Sequence, residues 1–337
     1  MSTGVDRAVP AIGVDAPLPW HYGDPLREQR VLATGAGVVD RSNRDVVQVT
    51  GVDRLPWLHS ICSQHLSELR DGDAREALVL SPHGHVEQHW QSAELGAVFW
   101  IDTEPRAAAD VLKYLQMMRF LKRVEPADVS SEWAVLSVVG PSTVAVLSAA
   151  GLPTPDVDHA IGLDGGGFVR RMAWASQDAA DLIVARVSAP EVLARLHAAG
   201  AEPAGLWAFE AMRVEARRPR LGFETDHRTI PHEVGWIGSA VHLDKGCYRG
   251  QETVARVHNL GRPPRRLALL HLSGESDESP AAGTPVEANG RAVGFLGTAV
   301  QHHELGPIAL AVIKRSIGND AGLTVSGDPV SIDAGAL

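Results

Sequence analysis

Hydrophobic positions along this chain recur with two periods, and the switches between them predict its elements. Asp45 to Thr50 is a β-branched run ended by Gly51, and Val52 to Ile61 then follows helical spacing, so a strand and a helix are expected in succession. Ala77 to Leu80, a turn at Ser81-Pro82-His83-Gly84, Val86 to Gln91 and Ala97 to Ile101 read as an antiparallel meander. Thr103 is the expected N-cap of the next helix, with Glu104 and Pro105 in its first turn. Val111, Leu112, Leu115, Met118 and Leu121 form its apolar stripe, before Lys122 and Arg123 at its end. Trp133 to Val139 predicts a buried strand and Thr143 to Ala150 a short helix; Asp181 to Val187 is a strand, and Glu191 to Ala199 and Leu206 to Ala216 are helices.

After Arg266 the texture changes to short strands: Leu267 to Leu272, Pro285 to Glu287, Ala292 to Gly297, Ile308 to Lys314 and Leu323 to Val325. Asn289-Gly290 signals a hairpin, because both central positions of a type I′ turn need positive φ. Ser273 to Pro280 is a loop within this region. Hairpins outnumber crossovers, so the expected class is α+β with antiparallel sheets and a C-terminal β-barrel. At 337 residues the chain exceeds what one core usually carries. We expect a lead-in over residues 1–36, an α+β region over 37–265 built of two interleaved subdomains split near 130, and the barrel over 266–337.

Composition narrows the function classes. The 45% hydrophobic and 21% charged content is that of an ordinary globular protein. Met1 to Pro10 has no signal-peptide pattern, and no stretch approaches a membrane span, which points to a cytoplasmic protein whose Cys62 and Cys247 are free thiols. The formal charge of 31 minus 41, or −10, argues against direct nucleic-acid or acidic-membrane binding. Yet Arg213 to Arg266 carries eleven Lys and Arg against six Asp and Glu, which suits either solvated surface arginines or a small anionic ligand.

The chemistry concentrates in Lys245-Gly246-Cys247-Tyr248-Arg249-Gly250-Gln251-Glu252, continuing to Arg256. Glycines flanking the cysteine suit a tight turn that leaves the sulfur accessible, and the neighbouring Lys245 and Arg249 favour the reactive thiolate. Cys62, inside an apolar helix, reads as core. His83, His85 and His89 have a metal-ligand spacing, but they sit in a hairpin of a chain with 15 histidines, so no metal is assigned. Gly165-Gly166-Gly167 lacks the context of a phosphate cradle, and there is no P-loop or dinucleotide fingerprint.

This motif closely resembles the signature of the YgfZ family, a folate-binding branch related to the T-protein of the glycine cleavage system. The resemblance extends through Arg213-Val214-Glu215-Ala216 with Pro219, through Thr229-Ile230-Pro231, and faintly through Val46 to Gly51 and Gly140-Pro141. It implies a three-domain cloverleaf that binds tetrahydrofolate or a derivative. Within it, Cys247 is the reactive thiol beside Lys245; Gly246, Gly250, Glu252 and Arg256 complete the motif, and Tyr248 and Gln251 lie near the ligand. Glu215 is assigned to the pterin, a carboxylate being able to accept its paired donors. Arg213 belongs to the same segment. Trp207 and Phe209 stack on the ligand or pack the core, and Arg44 stands where some relatives carry a folate-contacting tryptophan.

Two departures from the T-protein argue against aminomethyl transfer. Its Gly-x-x-Asp-Asp segment corresponds to Gly84-His85-Val86-Glu87-Gln88, and its Gly-Tyr-Thr-Gly-Glu to Trp174-Ala175-Ser176-Gln177. Arg217 also replaces a glycine. The resemblance therefore implies a monomeric assembly or repair factor for iron-sulfur client proteins, affecting tRNA modification indirectly. A folate-dependent one-carbon transferase is the alternative, and a scaffold with a vestigial pocket a third reading.

Overall fold

The computed structural model describes residues 8–172, 178–274 and 279–335. The Trp174 to Gln177 departure and part of the loop between Ser273 and Pro280 lie outside the described residues. Seven helices are described: α1 Pro25–Thr34, α2 Arg54–Ile61, α3 Ala108–Met117, α4 Thr143–Ala149, α5 Ala189–Ala198, α6 Leu206–Glu215 and α7 Gln251–Leu260. They dress two antiparallel sheets and a barrel, as the alternating pattern predicts.

The five-stranded sheet runs Ala74–Leu80, Val86–Leu95, Val98–Thr103, Asp45–Thr50, Glu125–Asp128, each pair antiparallel. Its apolar face (Val47, Trp90, Phe99 and Ile101) packs on Trp57 and Leu58 of α2 and Val111 and Leu115 of α3. The six-stranded sheet runs His159–Gly162, Phe168–Arg171, Ala179–Ala185, Trp133–Val139, Gly37–Asp40, Glu202–Ala204, antiparallel except at its last pair. Its core meets α4 and α5 through Val146, Leu147, Val192 and Leu196. The first sheet is thus inserted in sequence between strands of the second.

Arg265–Leu272, Gly306–Lys314, Arg291–His302, Pro285–Ala288, Leu323–Val325 and Asp328–Ile332 close into a barrel, the last strand returning to the first. Asn289 and Gly290 take φ of 51° and 70°, the conformation their hairpin requires.

The α3 helix differs from its expectation. Thr103 is the buried end of a strand, its hydroxyl donating to the His89 carbonyl, and the helix begins at Ala108, whose N–H is capped by the Asp45 carboxylate at 2.7 Å. Positive φ at Arg106 and Phe120 bounds the helix, so it ends at Met117 and Leu121 is 98% exposed. The polar segment before Val38 contributes α1, whose Gln29 is buried and holds the barrel by bonds to Gln301 and His303.

All these bodies meet at a buried ionic network. Arg44 bonds Asp102 at 2.7 Å and Glu104 at 3.3 Å, and Arg170 lies 2.7 Å from Asp102 and 2.9 Å from Asp181, which also pairs with Arg41. Arg220 grips Asp15 with two nitrogens and reaches Glu104 at 2.7 Å. Arg213 pairs with Glu210 and Glu224 and donates to Thr298 of the barrel. Burial alone would raise the pKa of Glu104, but Arg220 and Arg44 overcome it and hold the group at about 2. Asp181 is brought to about 2 against the same penalty by Arg41 and Arg170.

The signature turn is seated by glycine contacts. Gly250 has φ +83°, and a Cβ there would lie 2.6 Å from the Ser81 carbonyl and 2.9 Å from Gly84; Gly246 would meet nothing within 4 Å. Gly250→Ala should therefore lose on the order of 2 kcal/mol in denaturant unfolding, from positive φ plus backbone clash, while Gly246→Ala stays within about 0.5 kcal/mol of the parent. Equal losses at the two positions would contradict this account.

The network gives a second prediction. Glu104 and Asp181 sit near 2 in the folded chain, below the roughly 4 of an unfolded chain. Their contribution is complete above about pH 4 and is lost as pH falls towards about 2. Urea midpoints should hold down to about pH 4.5 and then drop, and Glu104→Gln should lower the neutral plateau and flatten the drop. A parent midpoint unchanged down to about pH 3 would count against the network.

Candidate functional site

Two joined chambers open where the sheets, α6 and the segment after it converge. The inner one is walled by the ionic network: Asp15, Arg41, Arg44, Glu104, Asp181, Glu210, Arg213 and Arg220 line it with Phe209, His89 and Gln91. It has only about 70 Å³ of open space, room for a few waters. The outer chamber has about 530 Å³ and is lined by Arg75, Glu76, Met172, Arg217, Arg218, Pro219, Val234, Trp236 and His242, among others. Met172, Arg218 and Pro219 border both.

Glu76 is the buried carboxylate at the junction. Its Oε1 lies 2.7 Å from His89 Nε2, accepts from Gln91 Nε2 at 3.0 Å and sits 3.7 Å from Arg218. Burial raises its pKa, but His89 and Arg218 overcome this and hold it at about 2. The His89 ring stacks on Trp236 at 4.8 Å, giving the chamber an aromatic wall. Gln91 is only 8% exposed, and its Oε1 has no hydrogen-bond partner, because its amide nitrogen is committed to Glu76. An orphaned buried acceptor is costly and suits a ligand donor.

The sequence-derived residues divide among several places. Arg213, Arg44 and Phe209 line the inner chamber, but Arg213 and Arg44 are bound by carboxylates, and the Arg41 guanidinium covers the Phe209 ring at 4.3 Å. Glu215 faces the barrel instead, 3.5 Å from His302, whose proximity lowers its pKa, and it is absent from both chamber walls. Trp207 stacks on Trp20 at 5.8 Å.

Cys247 is exposed, as the turn predicts, yet it borders neither chamber. Lys245 is buried, and its ammonium donates to the carbonyls of His59, Cys62 and Gln64, closing the C-terminal end of α2 over the Tyr248 ring. Burial lowers its pKa. Arg249 pairs with Glu87 at 2.8 Å, so the carboxylate matched to the Asp-Asp segment sits at the exposed start of the Val86–Leu95 strand, outside both chambers.

Gln251 donates to the Lys245 carbonyl and, with Tyr248, lines a separate depression. Glu252 is exposed, and Arg256 borders a shallow groove with His83 and His85. His89 lies in the interior, and among the described residues no three metal-binding side chains converge. Sequence reasoning passed over Arg75, Glu76, Gln91, Trp236 and Arg218. Their one local signal was a charged or amide side chain, Glu76 or Gln91, interrupting a largely apolar strand.

The chain matches the family model described as GCVT N-terminal domain over residues 16–245, more than half its length. The aminomethyltransferase of Rubrobacter xylanophilus is 28% identical over 307 residues, spanning 88% of this chain and 81% of that protein. The aminomethyltransferase of Synechococcus sp. (strain CC9902) is 26% identical over 334 residues, spanning 94% and 89%. Among solved structures, glycine cleavage system aminomethyltransferase T from Bartonella henselae aligns with a TM-score of 0.85 at 18% identity, over 97% of this chain and 93% of that one, and so shares the fold. This chain belongs to the GCVT-domain, aminomethyltransferase (T-protein)-like family.

Proposed function

We propose that this protein binds a reduced folate in the outer chamber and serves in aminomethyl or one-carbon transfer. The observation that carries the reading is the unpartnered Gln91 Oε1 beside Glu76 at the chamber junction. A pterin edge offers an amino group and ring N–H donors, the kind of partner that the Gln91 oxygen lacks. Trp236 and Met172 supply flat and adaptable apolar walls, and Arg218 balances the buried Glu76 charge. A bound reduced folate would supply the nitrogen pair that accepts a one-carbon unit. The chain's own part is to orient that ring and to exclude water around it.

The family match and the relatives named aminomethyltransferases support the transferase reading over the sequence-based preference for an assembly factor. Glu87, paired with Arg249, needs another carboxylate or the substrate itself to take over its expected role.

A second reading keeps the YgfZ resemblance: a monomeric cytoplasmic iron-sulfur assembly factor that uses Cys247. It is favoured by the exposure of that thiol on the turn between Gly246 and Gly250. Cys247→Ser restoring iron-sulfur enzymes fully in cells lacking the protein would end it.

For the first reading, tetrahydrofolate at 100 times its dissociation constant should stabilise the fold by about 2.7 kcal/mol in thermal melts. Gln91→Leu, which removes the acceptor, should weaken binding about tenfold. No melting shift at saturating ligand would contradict the proposal.

A further inference from the structure

The chamber arginines are almost all neutralised by carboxylates. Arg41, Arg44, Arg213 and Arg220 each pair with acidic groups of the inner network, Arg217 pairs with Asp333 at 2.6 Å, and Arg218 approaches Glu76. Arg75 is different. It stands on Ala74–Leu80, the edge strand of the five-stranded sheet, and is half-buried in the wall of the outer chamber. Its Nη1 donates to the carbonyls of Ala74 at 2.7 Å and Asp158 at 3.4 Å, and among the described residues it has no ion pair.

These two bonds fix the guanidinium through one nitrogen and leave the charge uncompensated. A guanidinium carries five N–H donors in a planar fork that matches a carboxylate with two parallel bonds. A half-buried cation in a roomy chamber gains most from an anion brought by a ligand, because its own desolvation has already occurred.

We propose that Arg75 is the carboxylate anchor of the outer chamber, so that the site selects ligands whose ring carries a carboxylate-ended tail over the bare ring. This rests on the folate reading above. It assigns Arg75 the tail, while Glu76 and Gln91 take the ring. Arg75 is thus a specificity residue and takes no part in bond making.

The test is calorimetric titration of the full chain and of Arg75→Gln with two probes: tetrahydrofolate, and 6-methyltetrahydropterin, the reduced ring without the aminobenzoylglutamate. The parent should bind tetrahydrofolate more tightly than the bare pterin. Arg75→Gln should weaken tetrahydrofolate by on the order of tenfold or more and leave the pterin within about twofold. Arg75→Lys should recover part of the loss, since charge returns without the fork. Melting of each ligand-free variant verifies that it folds. Equal weakening of both probes, or no weakening of either, would overturn the anchor while leaving the folate reading intact. A parent that binds neither probe would overturn the folate reading itself, and the anchor with it.

Discussion

A charge taken out of water must meet its opposite, and the architecture of this protein is organised around that constraint. Five arginines (Arg41, Arg44, Arg170, Arg213 and Arg220) and six carboxylates (Asp15, Asp102, Glu104, Asp181, Glu210 and Glu224) gather where the three bodies meet. Desolvating any one of them alone costs several kcal/mol, so each is tolerable only while its partners stay in place. The partners come from different bodies: Asp15 from the N-terminal segment, Asp102 from one sheet, Arg170 and Asp181 from the other, Arg213 from α6 with Thr298 of the barrel beside it. The network therefore specifies how the bodies dock, a task that apolar contacts, which are non-directional, do poorly.

The same constraint decides where a ligand is able to sit. With its side chains locked in pairs, the inner chamber keeps little space, and Arg41 already occupies the face of Phe209. What remains for a ring is the outer chamber, walled by one buried carboxylate and one unneutralised arginine, with the orphaned amide oxygen of Gln91 across the junction in the lining of the inner chamber. The fold that holds this chamber is that of the T-protein-like family.

How far the sequence revealed this depends on the range of each interaction. The meander, the short barrel strands and the Asn289-Gly290 turn were legible because alternation and turn chemistry are local. Gly246 and Gly250 read alike in the sequence, as the glycines of a tight turn, but only Gly250 has positive φ and a backbone neighbour, Ser81, which lies far away in sequence. The ion pairs were not legible. Arg44 and Asp102 are 58 residues apart, and Arg220 and Asp15 are 205 apart, so nothing local marks them as partners. Helix phase sets where the residues of α6 point: Glu210 and Arg213, three residues apart, share the cavity face, and Glu215 falls on the side turned to His302. Lys245 looked like a cation beside the thiol because it is adjacent in sequence, whereas its long side chain runs to the end of α2. Helix α1 escaped notice because it buries Glu28 and Gln29 as well as Leu32, which blurs its apolar stripe.

The most direct test of the account is a crystal structure of the protein with tetrahydrofolate bound. The account predicts the ring in the outer chamber, its donor edge on Gln91 and Glu76, with the Arg44–Asp102 and Arg220–Glu104 pairs unbroken. A ring inserted against Phe209 with those pairs opened would contradict it.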